Sequence, residues 1–239
     1  MNRLLVIIPA YNEASNITNV VLRVQKATDT LSNIRATVLV VNDGSKDNTS
    51  DCARATGAVV LDLPYNLGIG GAVQCGVRYA RDKKFDMAIQ IDGDGQHDPS
   101  FIHKLLSPLQ EGAADMVIGS RFLNREGFQS TWLRRVGIRI FEGVNSAIIG
   151  QRITDNTSGF RAYNKRAIAL LAEEYPSDYP EPEAVIVLGL RGFKICETPV
   201  VMRERQGGIS SIGSMSSVYY MAKVLLAIGV NVFKKQNQR

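Results

Sequence analysis

Asp92, Asp94 and Asp98 fall close together just after the apolar run Met87–Ile91, two of them inside Asp92-Gly93-Asp94-Gly95. Two carboxylates one residue apart at a strand end present hard oxygen ligands to a divalent cation. Such a cation bridges the oxygens of a diphosphate and offsets the charge that builds as it leaves. The same residues also make an ordinary Asp-Gly turn. Their place after a buried strand, beside other polar strand ends, favours the cation.

Asp43 follows Val38–Val41 and precedes Gly44 and Ser45. A carboxylate there accepts from a nucleobase N–H or a ribose hydroxyl, and equally serves as a helix N-cap. Tyr11 and Glu13, next to Pro9, could complete a base pocket. Asn66-Leu67-Gly68-Ile69-Gly70-Gly71-Ala72 resembles a phosphate-cradling loop, but Val73 stands where a dinucleotide fingerprint has its third glycine. Glycines such as Gly70 would instead let a helix approach the sheet or a sugar closely. His97 and His103 are the only histidines, and no nucleophile-elbow pattern accompanies them. His97 reads as a structural residue or one beside the donor, and His103 as an ordinary helix residue.

These residues need a frame. Leu4–Ile8, Thr37–Val41, Val59–Leu63, Met87–Ile91 and Met116–Ile118 read as buried strands. Helices between them are marked by Ile17, Val20, Val24, Ala27 and Leu31, and by Ala72, Val73, Gly76, Val77 and Ala80. Continuous apolar strands alternating with helices predict an α/β fold, a mostly parallel sheet flanked by helices. Ligands of such sheets bind outside the carboxyl ends of the strands, which places chemistry after Ile8, Val41, Ile91 and Ile118. Beyond about residue 125 the alternation weakens. Helices are expected over Trp132–Ile149, Lys165–Ala172 and Glu183–Leu190, a loop over Tyr175–Pro182 and a strand over Lys194–Val201.

Composition excludes several classes. With 45% hydrophobic and 21% charged residues among 239, neither a disordered nor a fibrous chain is indicated. The net charge of +5 suits an anionic partner, and arginines from Arg134 to Arg205 place it in the second half. Three widely spaced cysteines form no disulfide framework or zinc pattern, pointing to a reducing cytoplasm. No signal peptide or membrane-spanning run is read, so a soluble or surface-bound protein is expected.

Pro9-Ala10-Tyr11-Asn12-Glu13, Val41-Asn42-Asp43-Gly44-Ser45 and Asp92-Gly93-Asp94, in this order, resemble the nucleotide-binding half of the family 2 inverting glycosyltransferases. That resemblance implies the GT-A, Rossmann-like fold. Gln96-His97, Gly119-Ser120-Arg121, Trp132 with Arg134-Arg135, Ser158-Gly159-Phe160-Arg161, and Arg205 with Gly208 and Ser210 resemble the dolichol-phosphate mannose synthases and bacterial polyprenyl-phosphate relatives. The resemblance implies that Asp43, Pro9, Tyr11 and Glu13 hold base and ribose, with Gly70 and Gly93 in the same nucleotide-sugar site. Asp92 would lie near the donor, and Asp94 with Gln96 would bind magnesium or manganese. Arg121, Arg134, Ser158, Arg205 and Ser210 would meet the donor diphosphate or an acceptor phosphate, a task suited to the arginine fork.

The implied reaction moves a sugar from a UDP- or GDP-sugar to an undecaprenyl or dolichyl phosphate, for cell-surface glycan synthesis at the cytoplasmic membrane face. The chain departs from the synthases at Gly208-Ile209-Ser210-Ser211, where Gly-x-Ser-Lys is usual, and at Tyr179–Glu183. Both changes fall in the acceptor region. A sugar hydroxyl acceptor is therefore the alternative, with Glu183, or Glu181 beside it, as base. A sugar nucleotidyltransferase would need a Gly-rich basic signature near the first strand, which is lacking. A non-catalytic sugar-nucleotide-binding protein would lack the metal pair, which is present. The expected organisation is one domain over residues 1–212, with a nucleotide and metal half over 1–122 and an acceptor half over 123–212. Residues 213–239 would form an amphipathic helix that lies in the membrane interface, packs on the domain or meets a small membrane protein. No nucleic-acid partner is expected.

Overall fold

A computed structural model describes residues 1–123, 143, 146, 149–176 and 180–202. Strand β1 (Asn2–Ala10) leads to α1 (Ile17–Asp29), β2 (Ile34–Asn42), α2 (Thr49–Ala55), β3 (Val59–Asp62), α3 (Gly68–Asp82) and β4 (Met87–Gln90). A single 3-10 turn at Pro99–Phe101 opens into α4 (Ile102–Gln110). Then come β5 (Met116–Ser120), β6 (Arg161–Asn164), α5 (Lys165–Glu173), α6 (Pro180–Leu190) and β7 (Ile195–Pro199).

The described strands form one seven-stranded sheet in the order β3-β2-β1-β4-β6-β5-β7. β1 pairs in parallel with β2 (Val6 opposite Val38) and with β4 (Val6 opposite Ile89). From β1 the chain steps outward through β2 and β3, then returns to lay β4 on the other side of β1. Strand order thus reverses between β1 and β4, the point where open α/β sheets bind ligands. β6 is antiparallel to both β4 and β5, and β7 pairs in parallel with β5.

Both faces of the sheet are covered, which is why β1 reads as an unbroken apolar run. Leu4, Val6 and Ile8 pack with α1 and α4 in one core. Leu5 and Ile7 pack with α3, α5 and α6 in the other. A Cβ on Gly76 would overlap Ile7, so α3 lies closer to β1 than any larger residue would allow.

The fold corrects the expectation in two places. β6 was read as no strand at all; it is short and carries Arg161 and Asn164 in place of an apolar run. The segment Tyr175–Pro182 was expected to be a loop, but α6 begins at Pro180. Pro180 and Pro182 occupy its first turn, where backbone N–H groups have no helical partner to lose. Of the helix expected over Trp132–Ile149, Gly143, Ser146 and Ile149 are described, and they are helical. The helix expected over 213–239 lies outside the described residues. Among the described residues no helix is long and apolar enough to cross a membrane.

Candidate active site at the β1–β4 switch point

The carboxyl ends of β1, β2 and β3 are knitted by polar side chains. Asn12, in the left-handed region at φ 54°, donates its backbone N–H to Ser45 Oγ at 2.9 Å, and its Oδ1 accepts from Lys46 N at 2.8 Å. Glu13 N donates to Thr49 Oγ1 at 2.8 Å, and the Glu13 carboxylate accepts from Asn16 Nδ2 at 2.8 Å. Asp43, nearly buried, donates its N–H to Ala10 O at 2.9 Å and accepts from Leu67 N at 2.7 Å. Asp43 therefore ties the β2 end to β1 through its backbone and to the segment after β3 through its carboxylate. Gly44 has φ +69°, and a Cβ there would lie 2.9 Å from the backbone of Tyr65 and Asn66, so only glycine lets the loops close. Tyr11 stands exposed at the rim, Pro9 is buried in β1, and Gly70 is buried in the first turn of α3.

Asp92 and Asp94 follow β4 on the other side of the switch point, both half-buried. Gly93 is close to β1: a Cβ there would lie 3.1 Å from Pro9 O. Asp94 Oδ1 accepts from Gln96 N at 3.0 Å, closing the turn on itself. His97 is buried, stacks on Phe160 at 5.0 Å between ring centroids, and accepts from Asp92 N through Nδ1 at 3.1 Å. A backbone N–H can only donate, so the proton of the neutral ring resides on Nε2, 3.7 Å from Asp92 Oδ2. Burial, aided by the Arg121 charge and opposed by Asp94 and Asp155, lowers the His97 pKa to about 4. At neutral pH His97 is an uncharged support for Asp92. Asp98 caps the 3-10 turn through Ser100 N at 3.1 Å and lies 3.7 Å from Arg23.

A third wall comes from the segment entering β6. Asp155, fully buried, takes a two-point fork from Arg121: Nε to Oδ2 at 2.7 Å and Nη2 to Oδ1 at 2.6 Å. Burial works against the Arg121 charge, but Asp155, with Asp92 beyond it, more than compensates and the guanidinium pKa rises. Ser158 is buried, its Oγ accepting from Phe160 N at 3.3 Å. Arg161, also fully buried, donates to three backbone carbonyls: Ser158 O at 2.6 Å, Asn156 O at 2.8 Å and Glu181 O at 2.6 Å. It therefore binds the Asn156–Ser158 loop to the start of α6, which carries Glu181 and Glu183. Burial raises the Glu181 pKa against the pull of Arg161, and the Asp92 charge adds to the rise. Glu183 is nearly buried in the same first turn.

The predicted residues Pro9, Tyr11, Glu13, Asp43, Gly70, Asp92, Gly93, Asp94 and Gln96 thus surround the switch point, with Arg121, Ser158 and Glu183 on the β5–β6–α6 side. Arg134, Arg205 and Ser210 lie outside the described residues. Sequence reasoning assigned no role to Asp155, Thr157 or Glu197. Their signal was present: a polar run, Thr154–Ser158, leading into the Gly159-Phe160-Arg161 motif, and a lone carboxylate inside the short strand β7.

Residues 5–171 match the family described as Glycosyl transferase family 2, and the chain belongs to it. It is 30% identical to the UDP-N-acetylglucosamine–dolichyl-phosphate N-acetylglucosaminyltransferase of Methanococcus voltae, over 81% of this chain and 83% of that one. It is 31% identical to the undecaprenyl-phosphate mannosyltransferase of Micrococcus luteus, over 88% of this chain and 87% of that one. In fold it matches the glucosyl-3-phosphoglycerate synthase of Mycobacterium tuberculosis in complex with Mn2+, UDP and phosphoglyceric acid. The TM-score is 0.71 at 19% identity, covering 96% of this chain and 78% of that one.

Among the described residues no group of three His, Cys, Asp or Glu side chains is gathered for a metal ion. Asp92 and Asp94 fit a cation of the magnesium type nonetheless, because that ion binds through one or two carboxylates and completes its shell with substrate phosphates and water.

Proposed function

We propose that this family 2 glycosyltransferase moves a sugar from a UDP- or GDP-sugar to a polyprenyl phosphate, at the cytoplasmic face of a membrane and in the service of cell-surface glycan synthesis. The observation that carries this reading is the pair of relatives matched over more than four-fifths of both chains, each named for a polyprenyl-type phosphate acceptor. The site is in keeping with it. Asp43, Pro9, Tyr11 and Glu13 would grip the base and ribose on the β1–β3 wall, with Gly70 and Gly93 allowing close approach. Asp94 and Gln96 would hold magnesium or manganese, which when bound offsets the charge developing on the departing diphosphate.

The acceptor phosphate is anionic at neutral pH, so it attacks the anomeric carbon without a general base. The bond from that carbon to the acceptor oxygen forms as the bond to the nucleoside diphosphate breaks, in line, with inversion. Asp92, held by its N–H to His97 and backed by Gly159, would orient the donor sugar. Arg121, Arg134, Ser158, Arg205 and Ser210 would bind the two phosphate groups. Residues 213–239 would keep the enzyme at the membrane as an interfacial helix, or through a small membrane protein.

The test is an assay with purified protein, manganese or magnesium, labelled UDP- and GDP-sugars, and short-chain polyprenyl phosphate. Label passing into the organic phase, and lost in Asp94→Ala, supports the reading and identifies the sugar. Release of nucleoside diphosphate without lipid product redirects the acceptor to a hydroxyl and the base to Glu183. No release with any donor refutes the assignment.

A further inference from the structure

We propose that Asp155 is a positioning residue for the transfer reaction, fixing the Arg121 guanidinium by a two-point fork while leaving its Nη1 edge to a phosphate oxygen. This rests on the reading of Arg121 as a phosphate-binding residue. Arg121 follows β5 directly and is joined to Asp155 by its backbone N–H at 3.1 Å and by the side-chain fork; Nη2 also donates to Thr157 Oγ1 at 2.7 Å. Nη1 donates to none of the described residues. The side chain is therefore fixed in direction and keeps one pair of N–H groups for a ligand.

Asp155 is itself held from behind. On β7, Glu197 accepts from Asp155 N at 2.7 Å, from Thr154 N at 2.8 Å and from Thr154 Oγ1 at 3.0 Å. Glu197 lies opposite Ile118 in the β5–β7 ladder, so neighbouring strands anchor both ends of the Arg121–Asp155 pair. The same loop runs on to Gly159, which abuts the Asp92 carboxylate. Asp92 is within electrostatic reach of Arg121. The buried Asp155 fork thus fixes the cation before any ligand arrives, which is electrostatic preorganisation.

A double-mutant cycle tests this with Asp155→Asn and Arg121→Gln in the full-length protein, reading kcat and KM for donor and acceptor separately. Asp155→Asn should lower kcat/KM by roughly 10- to 100-fold, and in the Arg121→Gln background it should cost nothing further. A rise in donor KM assigns the Arg121 edge to the diphosphate; a rise in acceptor KM assigns it to the acceptor phosphate. Additive losses would make Asp155 a structural residue and overturn the proposal. Wild-type rates in Arg121→Gln would instead refute the phosphate role of Arg121, whatever Asp155 does. Should Asp155→Asn fail to fold, Glu197→Gln keeps an oxygen for the loop N–H groups and carries the same cycle, with a smaller loss expected that again vanishes beside Arg121→Gln.

Discussion

Gly159 stands against the carboxylate of Asp92, where a Cβ would lie 2.8 Å from Oδ2 and 2.9 Å from Oδ1. The glycine is required by a neighbouring charged group, since no backbone conformation special to glycine is involved. Gly159→Ala should push Asp92 out of place. Transfer is expected to fall by about 100-fold, as displacements near 1 Å at a reacting centre do, with a stability loss of roughly 1–3 kcal/mol from overpacking. Steady-state kinetics and thermal melts check both, and full activity in the variant would show that Asp92 need not be held there.

His97 makes stability depend on pH. Its pKa is about 4 in the fold against an ordinary 6.5, so the unfolded chain takes up the proton first. The contribution is complete above pH 6.5 and is lost as pH falls from there to about 4. At about 1.4 kcal/mol per pKa unit, its full size is roughly 3 kcal/mol. Urea unfolding between pH 7 and 4 should show this slope, and His97→Asn should flatten it. An unchanged slope in the variant would place the titration elsewhere.

The proposed metal role predicts that chelation separates activity from folding. Both cores are built from apolar side chains on the two faces of the sheet, and neither Asp92 nor Asp94 belongs to them. Chelation is expected to abolish transfer while leaving circular dichroism and melting temperature unchanged, and added manganese or magnesium should restore the rate. Asp94→Asn should lower the rate by about 100-fold or more and shift the metal titration to higher concentration. A variant that titrates like the wild type would move the metal away from Asp94.

Glu183→Gln should discriminate between the two acceptor classes. Glu183→Gln conserves the shape of this nearly buried side chain. With a phosphate acceptor the rate should stay within about threefold of wild type. With a hydroxyl acceptor it should fall by about 100-fold or more, the usual worth of a general base. Equal losses with both acceptors would assign Glu183 to the structure of α6.

The strand ends were the legible part of this chain. Leu4–Ile8, Val38–Val41 and Met87–Ile91 are apolar because the sheet is covered on both faces, and that same burial forces polar residues to its edge. Asp43 and Asp92 could therefore be placed before any coordinates. β6 could not, since Arg161 looks like a surface charge until three backbone carbonyls are brought around its guanidinium. The prolines before Leu190 misled for a related reason: proline breaks a helix interior but suits its first turn. Asp155 and Glu197 each stand out locally as polar residues, but their contact joins positions far apart in the chain and exists only in the fold.

The antiparallel strand β6 has a consequence for how the enzyme can be divided. Within the described sheet, β5 touches only β6 and β7, and β6 alone connects that pair to β4. The nucleotide and metal half proposed up to residue 122 therefore contains a strand, β5, that reaches the rest of its own sheet only through the residues that follow. A fragment ending there would keep β1–β4 with one side of β4 unpaired and β5 stranded. The two stretches are interlocked like a clasp, so a cut after residue 122 is no seam along which the chain comes apart into two working pieces.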